Sequence, residues 1–279
     1  MAKKQMGKRL RADELMVRQG LAPTLELARA LIMEGRVSVT GRRIDKASEA
    51  LNANAALYVK GELDKYVSRG AHKLKKALDA FGIDVNGLNC IDVGASTGGF
   101  TDVMLRAGAR HVCAVDVGYN QLDYRLRVDE RVTVMERTNA RDLTPQMFDA
   151  PLDFGATDVS FISLRLVLPP IRSVLRPGAG FVALIKPQFE AAQEDVGEKG
   201  VVRDFDVHVS VVRDMLDYVQ QAGWTVRGLD FSPIRGPEGN IEFLLYLGAE
   251  DGPCRYGEAE AVSVVCAAYD KFITNAQNA

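Results

Sequence analysis

Cysteine is scarce, and the four present, Cys90, Cys113, Cys254 and Cys266, show no C-x-x-C spacing. The three histidines do not cluster with them, so neither a disulfide framework nor a zinc site is supported and no metal is expected. No run of 18 apolar residues occurs, and the opening "MAKKQMGKRLRADEL" has charges but no apolar centre of signal-peptide length. These absences argue against a membrane-spanning or exported protein and for a soluble, reducing, cytoplasmic one with no membrane partner. Internal repeats and low-complexity tracts are missing too. What is present, 47% hydrophobic and 26% charged residues over 279 positions, suits one large globular domain with a small one attached.

Net charge is also nearly absent, at -2, yet that value hides an asymmetry. Residues 1–70 hold 14 Lys+Arg against 8 Asp+Glu, whereas the remaining 209 hold 21 against 29. A basic head on an acidic body points to a polyanionic partner for the head. The head reads as a helix from Ala12, a break at "GLAP", a second helix capped by Thr24, and short strands in "VSVTGRRI" and "ALYVKG". Arg9, Arg11, Arg29, Arg36, Arg42 and Arg43 are spread along these elements and could form a face for phosphates. The charges alone would permit any polyanion. With "ARALIMEGRVSVTG" as its specific part, the unit resembles the small alpha-L RNA-binding domain of a ribosomal small-subunit protein, and the resemblance implies structured RNA. The unit is expected over residues 1–61, followed by a linker at 62–70 and a second domain at 71–279.

In that second domain, "AHKLKKALDAFGI" reads as an amphipathic helix, and strands then alternate with helices. "CIDVG", "HVCAVDVG", "VTVME", "DFGATDVSF" and "GFVALIKP" are strands, each followed by a helical stretch, the third of these being "TPQMF". "WTVRGLDFS" and "NIEFLLYL" follow as two more strands, ahead of a C-terminal helix. Five β/α units with a two-strand finish predict a doubly wound α/β sheet whose last strand returns antiparallel.

The first turn of the sheet, "DVGASTGGFTD", places Gly94, Gly98 and Gly99 between a strand and a helix. Glycines there let the backbone approach a ligand and leave helix N–H groups free. The spacing is neither G-x-G-x-x-G nor a Walker loop. Asp116 ends the second strand, 24 residues after Asp92, where a carboxylate can accept both hydrogen bonds of a ribose diol. An acid at that position serves NAD and S-adenosylmethionine equally.

Four further residues separate the two: Lys73 before the first strand, Asp158 ending the fourth, Lys186 ending the fifth and Glu242 opening the last. The order Lys, Asp, Lys, Glu resembles the tetrad of FtsJ-like ribose 2′-O-methyltransferases. With the RNA-binding head in front, the chain resembles the TlyA family of ribosomal RNA 2′-O-methyltransferases, some members of which are called hemolysins. "YVSRGAHKL", "DVGASTGGFTD", "VDVGYNQL", "ERTNARDLTP", "DVSFISL", "IKPQFE", "GVVRD" and "SPIRGPEGNIEFL" carry the likeness from about residue 7 to residue 248. Ala71-His72 departs from the pattern, and so does the "TDVSF" lead into Asp158, but no tetrad member is lost.

The resemblance implies a Rossmann-like class I methyltransferase fold with a mostly parallel seven-stranded sheet, and S-adenosylmethionine as cofactor. It implies cofactor contacts from Asp92, Gly94, Ser96, Thr97, Gly98, Gly99, Asp116, Asn139 and Ala140, and ribosomal RNA or a ribosomal subunit as partner. Lys186 is then the candidate base for a ribose hydroxyl, with Lys73 as a neighbouring cation, Asp158 orienting the amine and Glu242 fixing Lys73 or the ribose. Phe161 and Phe189 read equally well as core residues and as base-stacking platforms. A non-catalytic assembly factor would need no cofactor pocket, and a pore-forming hemolysin would need a membrane-inserting segment. An NAD oxidoreductase would have no use for the two-lysine tetrad.

Overall fold

In the computed structural model, which describes residues 9–60, 65–236, 238–253 and 255–274, the chain forms two units, Met1–Lys65 and Tyr66–Ala279. Residues 61–64, which include the start of the expected linker, and Cys254 lie outside the described residues. The first unit contains β1 (Arg9–Arg11), α1 (Ala12–Arg18), α2 (Leu25–Met33), β2 (Val37–Val39), β3 (Arg42–Arg43), β4 (Ala50–Asn52) and β5 (Leu57–Val59). Thr24 caps α2 as expected, its hydroxyl accepting from the Leu27 N–H at 3.2 Å. Thr40 and Gly41 both take positive φ, 48° and 80°, which closes a two-residue hairpin between β2 and β3. Strands β3, β2 and β5 form one small antiparallel sheet, and β1 pairs with β4 in another. The β1–β4 pair has no signature in the sequence, because three residues are too few to show an alternation. Leu15, Met16, Leu31, Ile32, Val37 and Ile44 are at most 2% exposed and make the core of this unit.

One carboxylate organises the same unit. Asp13 is fully buried and accepts from Arg11 Nε and Nη2 and from Arg29 Nε, each at 2.9 Å. The hydrogen bonds from Arg11 outweigh the opposing effect of burial, and with those from Arg29 they hold the carboxyl down at about 2.

The second unit follows the expected α/β order, with α3 (Ala71–Ala80) leading into β6 (Asn89–Val93) and α4 (Gly99–Arg106). Next come β7 (His111–Val115), α5 (Tyr124–Arg127), β8 (Val132–Met135), β9 (Leu152–Thr157), α6 (Leu164–Val174) and β10 (Leu175–Ile185). Then α7 (Pro187–Glu190), α8 (Phe205–Gln221), β11 (Thr225–Phe231), β12 (Phe243–Gly248) and α9 (Glu258–Tyr269) complete it. The sheet order is β11-β12-β10-β9-β6-β7-β8. All pairings from β10 to β8 are parallel, while β12 runs antiparallel to both β10 and β11. One expectation fails locally: "TPQMF" makes only a 3₁₀ turn at Pro145–Met147, too short for a packed helix.

Both faces of the sheet are covered, which explains why Phe181 to Ile185 are all apolar and all at most 2% exposed. Phe181, Ala183 and Ile185 pack toward α6, α8 and α9, whereas Val182 and Leu184 join α3 and α4 on the other face. The order in which strands are added reverses between β6 and β9, so the carboxyl ends of these two strands flank a crevice.

Asp13 yields a stability prediction. Its depressed value means a stabilisation complete above the ordinary carboxylate range and lost as pH falls through about 2. An Asp13→Asn chain should therefore unfold its N-terminal unit more readily at pH 7 and show a smaller difference from wild type as pH drops below about 4. Amide exchange of α1 and α2 across that range checks it.

Candidate functional site

The tetrad residues assigned to strand ends, and Asp116 with them, lie one step beyond the strands themselves. Asp116, Asp158 and Lys186 directly follow β7, β9 and β10, and Glu242 directly precedes β12. A side chain just past a strand end is free of the neighbouring strand and can turn into the crevice.

The glycine turn comes first. Gly94 has φ 82°, and a Cβ there would meet the Val159 backbone at 3.2 Å, so the two turns after β6 and β9 touch through a missing side chain. Asp116 fixes the far side: Oδ2 accepts from the Ser96 N–H at 2.8 Å and Oδ1 from the Gly118 N–H at 2.6 Å. A cavity of about 480 Å³ opens here, lined by Gly94, Ser96, Asp116, Asn139, Ala140 and Ile162 among others. The Asn139 side chain also caps the next turn by accepting from the Arg141 N–H at 3.0 Å.

A second cavity, about 220 Å³, is lined by Asp92, Thr97 and Gly99 together with all four tetrad residues. Gly94, Ser96, Asp158 and Ser160 line both, so the two cavities share a wall. Asp92 accepts from the Thr101 N–H at 2.8 Å and hydroxyl at 2.7 Å through Oδ2, while its buried Oδ1 has no partner. Burial pushes this carboxyl up to about 7. Gly98 lines neither cavity; it starts α4 with φ 94°, and a Cβ there would collide with Leu126 Cδ1 at 2.2 Å.

Two lysines and two carboxylates converge on the smaller cavity. Lys73 Nζ lies 2.7 Å from Glu242 Oε2 and 3.0 Å from Asp158 Oδ2. Lys186 Nζ lies 2.6 Å from Asp158 Oδ1 and donates to Ser160 Oγ at 2.8 Å. Asp158 thus takes one lysine on each oxygen, and Glu242 sits on the outer side of Lys73. Burial alone would lower the Lys73 ammonium, but the charges of Asp158 and Glu242 prevail and hold it above the usual lysine value. A permanent cation is therefore bound to the same carboxylate that holds Lys186.

Some relevant residues escaped the sequence reading. Ser160 is one, although its spacing two positions after Asp158 was a usable hint, since alternate residues of an extended segment share a side. Ser68, which lines the smaller cavity, carried no signal beyond the motif around it. Phe161 is 91% exposed with φ 63° and its ring centroid 5.2 Å from that of Phe189, so it is not a core residue.

The six arginines of the first unit are more engaged than their charge count suggests. Arg11 and Arg29 hold Asp13, Arg42 pairs with Glu49, and Arg43 with Asp45 at 2.9 Å. Arg36 donates to the Lys60 carbonyl at 2.9 Å, and Arg9 lies exposed on β1. Among the described residues no group of three or more His, Cys, Asp or Glu could hold a metal ion, and no helix is long and apolar enough to cross a membrane.

A seven-stranded sheet with one antiparallel strand, a glycine turn after its first strand and a cavity along that edge define a Rossmann-like methyltransferase domain. Residues 66–249 match the FtsJ-like methyltransferase family and residues 10–57 the S4 domain. The chain is 52% identical to YqxC of Bacillus subtilis, over 86% of each protein. It is 46% identical to the 16S/23S rRNA (cytidine-2'-O)-methyltransferase TlyA of Mycobacterium tuberculosis, over 87% of this chain and 91% of that one. A solved Streptococcus thermophilus structure with a hemolysin designation superposes with a TM-score of 0.78 at 45% identity, covering 96% of this chain and 98% of that one. The chain belongs to the TlyA family of FtsJ-like methyltransferases.

The shared carboxylate makes a testable demand on stability. Asp158→Asn leaves two largely buried lysines around a neutral amide, and breaking a buried ion network in this way costs about 3 kcal/mol. Urea unfolding followed by the Trp224 fluorescence should show a loss of that order, because Trp224 is buried in the core of the second unit.

Proposed function

We propose that this chain transfers a methyl group from S-adenosylmethionine to the 2′-hydroxyl of a cytidine in ribosomal RNA. The observation that carries the proposal is the Glu242–Lys73–Asp158–Lys186 ladder on the wall of two joined cavities. The donor set suits the cofactor. The larger cavity offers Asp116 for a ribose diol and the Asn139–Ala140 segment for the base. The smaller offers the unpartnered oxygen of Asp92 for a cationic amino group. When bound, S-adenosylmethionine supplies an electrophilic methyl group on sulfur.

The residues of the chain do the rest. A ribose hydroxyl is a poor nucleophile at neutral pH, so a positioned base must take its proton as it attacks. Lys186 has that role: it is 7% exposed, stands at the end of a buried strand and is held by Asp158 and Ser160. Lys73 stays charged and takes the other oxygen of Asp158, which orients that carboxylate between the two lysines. Glu242 holds Lys73 in place. Most of the remaining rate comes from alignment of the hydroxyl with the methyl group. The S4 unit brings the RNA, and the reaction belongs in the cytoplasm, where ribosomes are built.

A structural relative carries a hemolysin designation, and no described helix of this chain is long and apolar enough to cross a membrane. A non-catalytic assembly factor is the reading that the next measurement separates.

Lys186→Ala should reduce methylation at least about a hundredfold, with binding of S-adenosylmethionine and RNA retained. Lys186→Arg should fail equally, because arginine keeps the charge but does not deprotonate in the useful range. Mapping 2′-O-methyl marks on ribosomal RNA from cells carrying each variant reads both. Wild-type marks with Lys186→Arg would move the base elsewhere, and marks unaffected by loss of the whole protein would remove the enzymatic reading.

Replacing Arg42 and Arg43 together should weaken RNA binding and lower the slope of log affinity against log salt by about one to two. An unchanged slope would mean that these side chains keep Glu49 and Asp45 as partners when RNA is bound.

A further inference from the structure

Lys186 Nζ is surrounded by three oxygens from one short segment: Asp158 Oδ1 at 2.6 Å, Ser160 Oγ at 2.8 Å and the Asp158 carbonyl at 3.3 Å. Ser160 Oγ and the Asp158 carbonyl accept hydrogen bonds from Nζ, and the Asp158 carboxylate faces it as an ion-pair partner. A base must also exist as a neutral amine, with two protons and a lone pair. Of the three oxygens, the carboxylate and the carbonyl can only accept. The lone pair has to face the ribose hydroxyl, so the protein must hold the amine by its N–H groups, and Ser160 Oγ accepts from one of them in either protonation state. Ser160 is also one of the residues shared by the two cavities, where hydroxyl and methyl must meet.

We propose that Ser160 is a positioning residue of the methyl transfer, accepting from a Lys186 N–H in both protonation states and so keeping the lone pair on the ribose hydroxyl. The inference rests on Lys186 being the base. In the step, the ribose hydroxyl proton passes to the lone pair of Lys186, the oxygen–methyl bond forms and the sulfur–methyl bond breaks, leaving a neutral thioether. Ser160 accepts from a Lys186 N–H throughout, so the lone pair stays free for the incoming proton. The proton later leaves to water. The other ionisable groups around Lys186 are Asp158 in contact, Lys73 and Glu242 through it, and Asp92 on the same cavity.

Ser160 acts on the lysine and not on the cofactor, so its removal has a particular signature. Ser160→Ala should lower the single-turnover rate about tenfold at saturating RNA and S-adenosylmethionine, with both affinities within about twofold of wild type. It should also move the lysine limb of the pH–rate profile to lower pH by about half to one unit, because the lost acceptor stabilises the ammonium more than the neutral amine. A limb contributed by Asp92 would be common to both enzymes and stay where it is. Ser160→Thr, which keeps the hydroxyl, should restore rate and midpoint together. A rate loss with an unmoved midpoint, or one matched by an equal loss of cofactor affinity, overturns the proposal. Failure of the underlying reading looks different: Lys186→Arg would then turn over normally, whatever Ser160→Ala does.

Discussion

The site depends on one shared carboxylate. Asp158 is the point at which two lysines meet, one ion-paired with Glu242 and held charged, the other beside the Ser160 hydroxyl. Four largely buried charges that sum to zero avoid the cost of an unpaired ion in a low-dielectric crevice. Any one of them alone would be a liability there. Their mutual dependence also explains why they sit on four separate elements, α3, the turns after β9 and β10, and the entry to β12.

The sheet makes this convergence possible. Because β12 returns antiparallel beside β10, its beginning lies next to the end of β10, and Glu242 reaches the same edge as Lys186. A parallel last strand would have delivered its first residue to the opposite edge. The larger cavity follows the same logic: the turn after β6 and the turn after β9 approach so closely at Gly94 and Val159 that a single side chain would part them. The cavities are thus a consequence of strand order, with the polar groups added at strand ends where the hydrogen-bond ladder stops.

Polar staples also hold the loops around the site. Glu190, the last residue of α7, accepts from the Ser163 hydroxyl and the Leu164 N–H, each at 2.7 Å, and so ties the Lys186 turn to the start of α6. Asn240 is 2% exposed and bonds both ends of its amide to the 200–202 segment, donating to the Gly200 carbonyl and accepting from the Val202 N–H. It anchors the loop two residues before Glu242.

Much of this was legible in the residues. The apolar runs such as Phe181–Ile185, the Thr24 cap and the glycine turn are local patterns, set by period and by capping chemistry, and the Lys–Asp–Lys–Glu order was legible through the family resemblance. Other features were not, because they depend on which groups meet across long sequence separations. Sequence could not show that Arg11 and Arg29 are both engaged by Asp13, that Gly98 packs on Leu126 and lines neither cavity of the site, or that Phe161 stands in solvent. Nor could it pair β1 with β4, whose three residues each carry no period. The order of the elements and the inventory of chemical groups can be read along the chain. Which carboxylate each cation finds is settled in three dimensions, since an ion pair is a matter of distance and burial and neither is written in the residue order.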